Sequence, residues 1–103
     1  RLSAFIVLAA ANKLSLYKQV MKNAPLHRSP NAGWPESAFA YVLDIKLSGP
    51  RLYDEGSYDG PWMGDGAEDL KASDIDKSVA LFNRTVLATV PLLALVCTLK
   101  YLI

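Results

Sequence analysis

Eight side chains between His27 and Asp65 carry the chemistry that this sequence offers: His27, Arg28, Asn31, Trp34, Glu36, Arg51, Trp62 and Asp65. His27 is the only histidine. It is therefore the one side chain of a type that changes protonation near neutral pH, although a lone histidine also serves as a structural or exposed residue. Glu36 suits a base or a metal ligand, or compensates the dipole in the first turn of a helix. Asp65 stands between Gly64 and Gly66. A carboxylate on so pliant a backbone suits a metal or phosphate loop, and Gly-Asp-Gly is also a good turn. Asn31 can donate to a phosphate or an oxyanion, or close an Asx turn. Arg28 and Arg51 are clamps for phosphate or carboxylate by type, and surface charges by default. Trp34 and Trp62 suit stacking on a flat ligand, a membrane interface or a core.

These residues fall in or beside one stretch, Ser29 to Asp65, which holds both tryptophans and is punctuated repeatedly by Pro and Gly. That punctuation rules out one long helix, and the aromatic content is too high for a disordered linker. The stretch reads as an ordered, irregular polar region. Within it, Pro35 followed by Glu36 predicts a helix with Pro at its first position, running to about Asp44. Ile45 to Leu47 suits a short strand before the Ser48-Gly49-Pro50 turn. Leu52 to Gly66 reads as loop or hairpin, packed down by Tyr53, Tyr58 and Trp62.

Both flanks read as helical. Leu2 to Ala11 is apolar apart from Ser3. As a helix it covers about 15 Å, half a bilayer core, and suits either the end of a spanning helix or a buried core helix. From Asn12 to Asn23 the pattern is amphipathic: Leu14, Leu16, Tyr17, Val20, Met21 and Ala24 on one arc, and Ser15, Lys18, Gln19, Lys22 and Asn23 on the other. A basic amphipathic helix here suits a cytoplasmic membrane surface, or simply a protein surface. Pro25 ends it. Ser73 can cap a last helix whose first turn is acidic and which runs to Ile103. From Val86 it is apolar except for Thr89, Thr98 and Lys100. Those residues cover about 27 Å and predict a membrane span kinked at Pro91. The expected organisation is 1–11 the end of a transmembrane helix, 12–28 a basic amphipathic helix, 29–72 a cytoplasmic substrate region and 73–103 a helix continuing into a span. The fold class is mainly α, a fragment of a polytopic membrane protein.

Composition agrees. Of 103 residues 51% are hydrophobic, and the formal net charge of +1 points to no nucleic-acid partner. Mean hydropathy is +0.16. All the Lys and Arg residues except Arg1 and Lys100 lie between the two apolar flanks, which places that region on the cytoplasmic side. Eight acids fall between Asp54 and Asp76, read as a mostly solvated face. Cys97 is the single cysteine and makes no internal disulfide or Cys/His metal spacing. The sequence has no P-loop, GxGxxG, HExxH or nucleophile elbow. Asn83-Arg84-Thr85 matches a glycosylation acceptor, but on a helix expected to be cytoplasmic.

The runs HRSPNAGWPESAFAYVLDIKLSGP at His27 to Pro50 and PWMGDG at Pro61 to Gly66, followed by SDIDKSVALFNRT and an apolar helix, resemble one family. It is adenosylcobinamide-phosphate synthase, the CobD/CbiB membrane proteins of cobalamin biosynthesis. The likeness covers nearly the whole chain, which corresponds to roughly the C-terminal third of a member. Asp44 to Gly49 departs from the Gly-rich text usual there, which puts any role for backbone amides at that point in doubt. The resemblance implies a multi-pass protein of the bacterial inner membrane. It implies an amide-forming ligase joining aminopropanol, or its O-phosphate, to a carboxylate of adenosylcobyric acid, with ATP and Mg²⁺ activating the carboxylate. The corrinoid is then substrate, membrane lipid surrounds the anchors, and other cobalamin-assembly enzymes are candidate neighbours. His27, Glu36 and Asp65 become the catalytic candidates, with Asp65 also the metal ligand. Asn31, Arg28, Trp34, Arg51 and Trp62 become the substrate-binding ones. The alternative is a non-catalytic membrane sensor or assembly protein on the same scaffold.

Overall fold

The computed structural model describes residues 1–49, 51–53, 56–58 and 60–103. Its helices are α1 (Leu2–Ala10), α2 (Tyr17–Asn23), α3 (Pro30–Leu43) and α4 (Ala72–Leu102), with 3₁₀ turns at Leu14–Leu16 and Ala24–Leu26. Between α3 and α4 lie four short strands, β1 (Leu47–Ser48), β2 (Arg51–Tyr53), β3 (Gly56–Tyr58) and β4 (Trp62–Met63).

The core is where α1, α2 and α3 meet the first half of α4. Ala4, Val7 and Leu8 sit three and four residues apart and form one helix face. They are buried with Val20, Ala24, Trp34, Ala38 and Leu81. α1 is therefore used as a core helix against α3 and α4. Its nine residues cover about 14 Å. Among the described residues one helix, α4, is long and apolar enough to cross a membrane.

The amphipathic reading of residues 12–24 holds for part of its arc. Val20 and Ala24 are buried, but Leu14 and Met21 are about half exposed, and Asn23, placed on the polar arc, is buried. Asn23 and Ala24 stand three and four residues after Val20 and so share its buried face, while the 3₁₀ turn at Leu14–Leu16 sets Leu14 in a different phase from α2. Three residues per turn instead of 3.6 shifts the phase of everything after it.

α3 starts five residues before the expected Pro35. Pro30 takes the first helical position, where a missing N–H costs nothing. The N–H groups of Ala32 and Gly33 donate to the Ser29 carbonyl at 3.1 and 2.9 Å. Pro35 then lies inside the helix. The bond it forfeits is to the carbonyl of Asn31, a residue exposed to water. α3 ends as Asp44 turns left-handed, φ 55°.

The segment after α3 folds back on it. β1 pairs antiparallel with β4, Leu47 opposite Met63 and Ser48 opposite Trp62. β2 and β3 form the intervening hairpin. A parallel bridge of Ile45 with Ala67 closes the base, through Lys46 N–H to Ala67 O at 2.8 Å and Ala67 N–H to Asp44 O at 3.1 Å. The strand expected at Ile45 to Leu47 thus falls at Leu47–Ser48, and the loop or hairpin is a hairpin framed by a second strand pair. The packing expected of Tyr53 and Tyr58 concerns side chains outside the described residues.

α4 opens on Lys71 rather than Ser73. Asp74, at the third helical position, accepts the Lys71 N–H at 2.8 Å. After Leu81 no residue of α4 is buried. Thr85, Thr89 and Thr98 each donate their hydroxyl to the carbonyl four residues back, at 2.8 Å. Such bonds hide the polar groups of a helix meant for hydrocarbon. With only 6% of its apolar window buried by protein, α4 has a surface suited to lipid.

Two outcomes test this packing. A Cβ on Gly33 would stand 2.3 Å from the Ala24 carbonyl oxygen and 2.7 Å from His27 Cβ. Ala in a helix is favoured over Gly by about 1 kcal/mol, whereas overpacking costs about 1–3 kcal/mol. Gly33→Ala should therefore lower the thermal midpoint in detergent. The protein should also stay with membranes through an alkaline carbonate wash and leave them only with detergent.

Candidate functional site

α3 turns three polar side chains toward the segment that folds back on it. The first is Glu36. One of its carboxylate oxygens lies 3.0 Å from His27 Nε2, and the other accepts a short hydrogen bond from Ser48 Oγ. The His27 and Glu36 side chains are 19% and 25% exposed, so the pair is shielded but reachable. The backbone N–H of Ser29 donates to His27 Nδ1 at 2.9 Å. A nitrogen that accepts carries no proton, so the imidazole proton is on Nε2, pointing at Glu36. His27 and Glu36, nine residues apart and named separately as candidates, are thus brought together. Gly33 makes this possible: it lets the start of α3 press against the chain at Ala24 and His27.

The second is Ser37. Its hydroxyl donates to Asn23 Oδ1 at 2.8 Å, and the same oxygen accepts the Gly64 N–H at 3.0 Å. Asn23 Nδ2 donates to the Trp62 carbonyl at 3.1 Å. The third is Tyr41, whose hydroxyl donates to Asp65 Oδ2 at 3.2 Å. Burial, the Asp65 charge and this hydrogen bond all raise the Tyr41 pKa above the ordinary 10.0.

The remaining candidates are spread around this face. Arg28 is exposed beside His27, and Asn31 is exposed in the first turn of α3. Trp34 is 8% exposed and belongs to the core, with the Tyr17 ring centroid 6.3 Å away and the Arg1 guanidinium 5.4 Å from its ring. Trp62 keeps 36% of its surface open. Its ring lies against Gly49, where φ is 79° and a Cβ would come within 2.6 Å of it, and the Lys46 ammonium is 5.7 Å from the ring. Arg51 opens β2 opposite Tyr58, and its side chain lies outside the described residues. Asp65 is exposed, and among the described residues no three His, Cys, Asp or Glu side chains gather as a metal cluster. Sequence reasoning missed Asn23, Ser37, Tyr41 and Ser48. The spacing of Ser37 and Tyr41, one turn apart on one helix face, was the signal available for two of them. A groove of about 800 Å³ opens between α3, β1 and the start of α4, lined largely by apolar side chains such as Phe39, Leu43, Leu47, Ile75 and Phe82.

A phenol held protonated more firmly in the fold than in the unfolded chain contributes stability that is complete below pH 10. That contribution is lost as pH rises through the folded value. Asp65→Asn removes the charge that helps hold the proton. In an ultraviolet titration part of the tyrosinate absorbance should move to lower pH in Asp65→Asn, and that same part should be missing in Tyr41→Phe.

The chain was compared with known proteins. The family described as CobD/Cbib protein matches residues 1–82. A cobalamin biosynthesis protein CobD of Rhodobacter capsulatus is 36% identical over 95 residues, 92% of this chain and 30% of that protein. The namesake of Sinorhizobium fredii is 40% identical over 92 residues, 82% of this chain and 28% of its own length. That of Brucella anthropi is 47% identical over 70 residues, 67% of this chain and 21% of its own length. No solved structure matches. The chain spans less than a third of the length of these relatives, and over the share it spans, its matched residues include the His27–Glu36 pair and the turn that carries Asp65. It belongs to the CobD/CbiB family of cobalamin-biosynthesis proteins.

Proposed function

We propose that this chain carries part of the active site of an amide-forming ligase, adenosylcobinamide-phosphate synthase. The reaction joins aminopropanol, or its O-phosphate, to a carboxylate of adenosylcobyric acid. The observation that carries the proposal is the half-buried Glu36 carboxylate, held by His27 on one oxygen and Ser48 on the other inside the SPNAGWPE stretch. The relatives' role in cobalamin biosynthesis supports the choice of substrate.

Amide formation needs an activated acyl group, an amine that loses a proton and a place for the leaving group. With the carboxylate activated as its mixed anhydride with phosphate, the amine nitrogen attacks the acyl carbon. The C–N bond forms, the bond from carbon to the phosphate oxygen breaks, and phosphate leaves. The ammonium proton goes to Glu36, in the second turn of α3, whose first turn carries the exposed Asn31. His27 acts by orienting Glu36, because its Nδ1 is already taken by the Ser29 N–H. Arg28 and Asn31 stand at the positive end of the α3 dipole and suit the phosphate or carboxylate groups of the substrates. Trp62, with its open surface, is the tryptophan available to a flat corrin face.

ATP would supply the phosphoryl group, and Mg²⁺ would neutralise its charge. Mg²⁺ keeps waters and takes only one or two protein carboxylates. The exposed Asp65 fits that modest demand, with substrate phosphates and water completing the shell. The proposed setting is the bacterial inner membrane, with further spans contributed by the rest of a multi-pass protein. The basic α2 and the 44–67 segment then face the cytoplasm.

In the full-length gene product, Glu36→Gln should lower kcat for amide formation about 10²–10⁴-fold, the usual contribution of a general base. Asp65→Asn should raise the Mg²⁺ requirement. Unchanged turnover in both, at normal expression, removes these residues from the mechanism. A strain lacking the gene should grow on cobinamide and not on cobyric acid. Growth on cobyric acid would favour the sensor or assembly role instead.

A further inference from the structure

We infer that Asn23 is a positioning residue that fixes the Gly64–Asp65 turn, and through β4 the Ser48 hydroxyl, against α3. The inference deepens the ligase reading above and rests on it for the catalytic consequence. Its geometric half stands alone.

Asn23 ends α2 and is 9% exposed. A carboxamide at such a place is costly unless its polar atoms are met. Here both ends are. Its oxygen accepts from Ser37 Oγ and the Gly64 N–H, and its nitrogen donates to the Trp62 carbonyl. The partners fix which end is which: a backbone N–H must face oxygen, and a carbonyl must face N–H. The amide thus grips residues 39 and 41 positions away in the sequence and ties both to α3.

What it grips is the part of the fold least able to place itself. Gly64 has φ 91°, and a Cβ there would come within 2.5 Å of the Ile45 carbonyl oxygen and 2.6 Å of Ala40 Cβ. The turn is therefore pressed against the end of α3, with Asp65 next in line and bonded to Tyr41. Trp62, the other partner, is opposite Ser48 in the β1–β4 pair. Ser48 in turn holds Glu36. One side chain that touches neither Glu36 nor Asp65 thereby sets the surroundings of both.

The test compares Asn23→Leu, which keeps volume and loses every hydrogen bond, with Asn23→Asp, which keeps an acceptor for Ser37 and Gly64. In the full-length protein in detergent, amide hydrogen exchange at Gly64 should speed up about tenfold or more in the Leu variant and stay slow in the Asp variant. The kcat per folded molecule should fall about 10- to 100-fold in the Leu variant, the scale expected for a displacement of about 1 Å, with KM for the amine within about twofold. The Asp variant keeps the Gly64 bond but turns a carboxylate oxygen toward the Trp62 carbonyl, so it should recover only part of it. A merely structural asparagine would lower the thermal midpoint and yield but leave kcat per folded molecule unchanged, and that result overturns the inference. So does unchanged Gly64 exchange in the Leu variant. If the wild type forms no amide, the ligase reading fails, and the exchange measurement alone decides whether Asn23 holds the turn.

Discussion

A Pro- and Gly-rich segment has little secondary structure in which to satisfy its own backbone, so it takes a fixed shape only against something already ordered. Here that support is one polar strip of α3. Glu36 meets Ser48, Ser37 meets Asn23 and through it Gly64, and Tyr41 meets Asp65. Each contact pins a different part of residues 44–67, and the short β1–β4 pair and the Ile45–Ala67 bridge carry the constraint between them. The glycines are the counterpart of this arrangement. At Gly49 and Gly64 the backbone is left-handed and a side chain has no room. The conformational entropy lost there is offset by hydrogen bonds and by Trp62 packing on Gly49.

The two ends of the chain answer to different solvents. α1, α2 and the first half of α4 bury Ala, Val and Leu against α3 in a core of ordinary kind. The second half of α4 buries nothing against protein, yet it presents Leu, Val and Ile on every side. In water that surface would be a large exposed apolar patch; in a bilayer it is the expected state. The threonines of the same half spend their hydroxyls on carbonyls of their own helix, which lets a polar residue sit in hydrocarbon without an unmet donor.

Much of this was legible in the residues. The apolar run from Val86, the helix across Glu36 and the loop or hairpin after Ser48 follow from composition and spacing; the His27–Glu36 contact does not. The rest was hidden for identifiable reasons. Pro35 looked like a helix start because proline is at home there, but Pro30 occupies the same role five residues earlier and the helix tolerates Pro35. Asn23 looked exposed because its side chain is polar, yet three residues after Val20 it shares that residue's buried face. Trp34 and Trp62 were alike by type. Only the fold separates a ring enclosed by Tyr17 and Arg1 from one that rests on Gly49, has Lys46 over it and still keeps 36% of its surface open. Leu2 to Ala11 admitted a membrane or a core reading by length alone; the fold packs Ala4, Val7 and Leu8 against α3 and α4 and leaves Leu2 and Phe5 exposed.

The placement of the polar head follows from α4 itself. Its first part, from Ala72 to about Thr85, is about 21 Å of helix before the uninterrupted apolar run begins. Leu81, its one buried residue, is where the core made by α1 and α3 attaches. The head is therefore carried on the stretch just outside the apolar run, within a turn or two of the lipid surface. The groove between α3, β1 and α4 includes Phe82, one turn before Val86. An apolar cleft so close to the span, with the Glu36 pair on the same helix, favours ligands that have both an apolar face and charged edges. On the proposed ligase reading, the exposed Lys18 and Lys22 of α2 would add positive charge to the same head, on the side that faces an anionic leaflet.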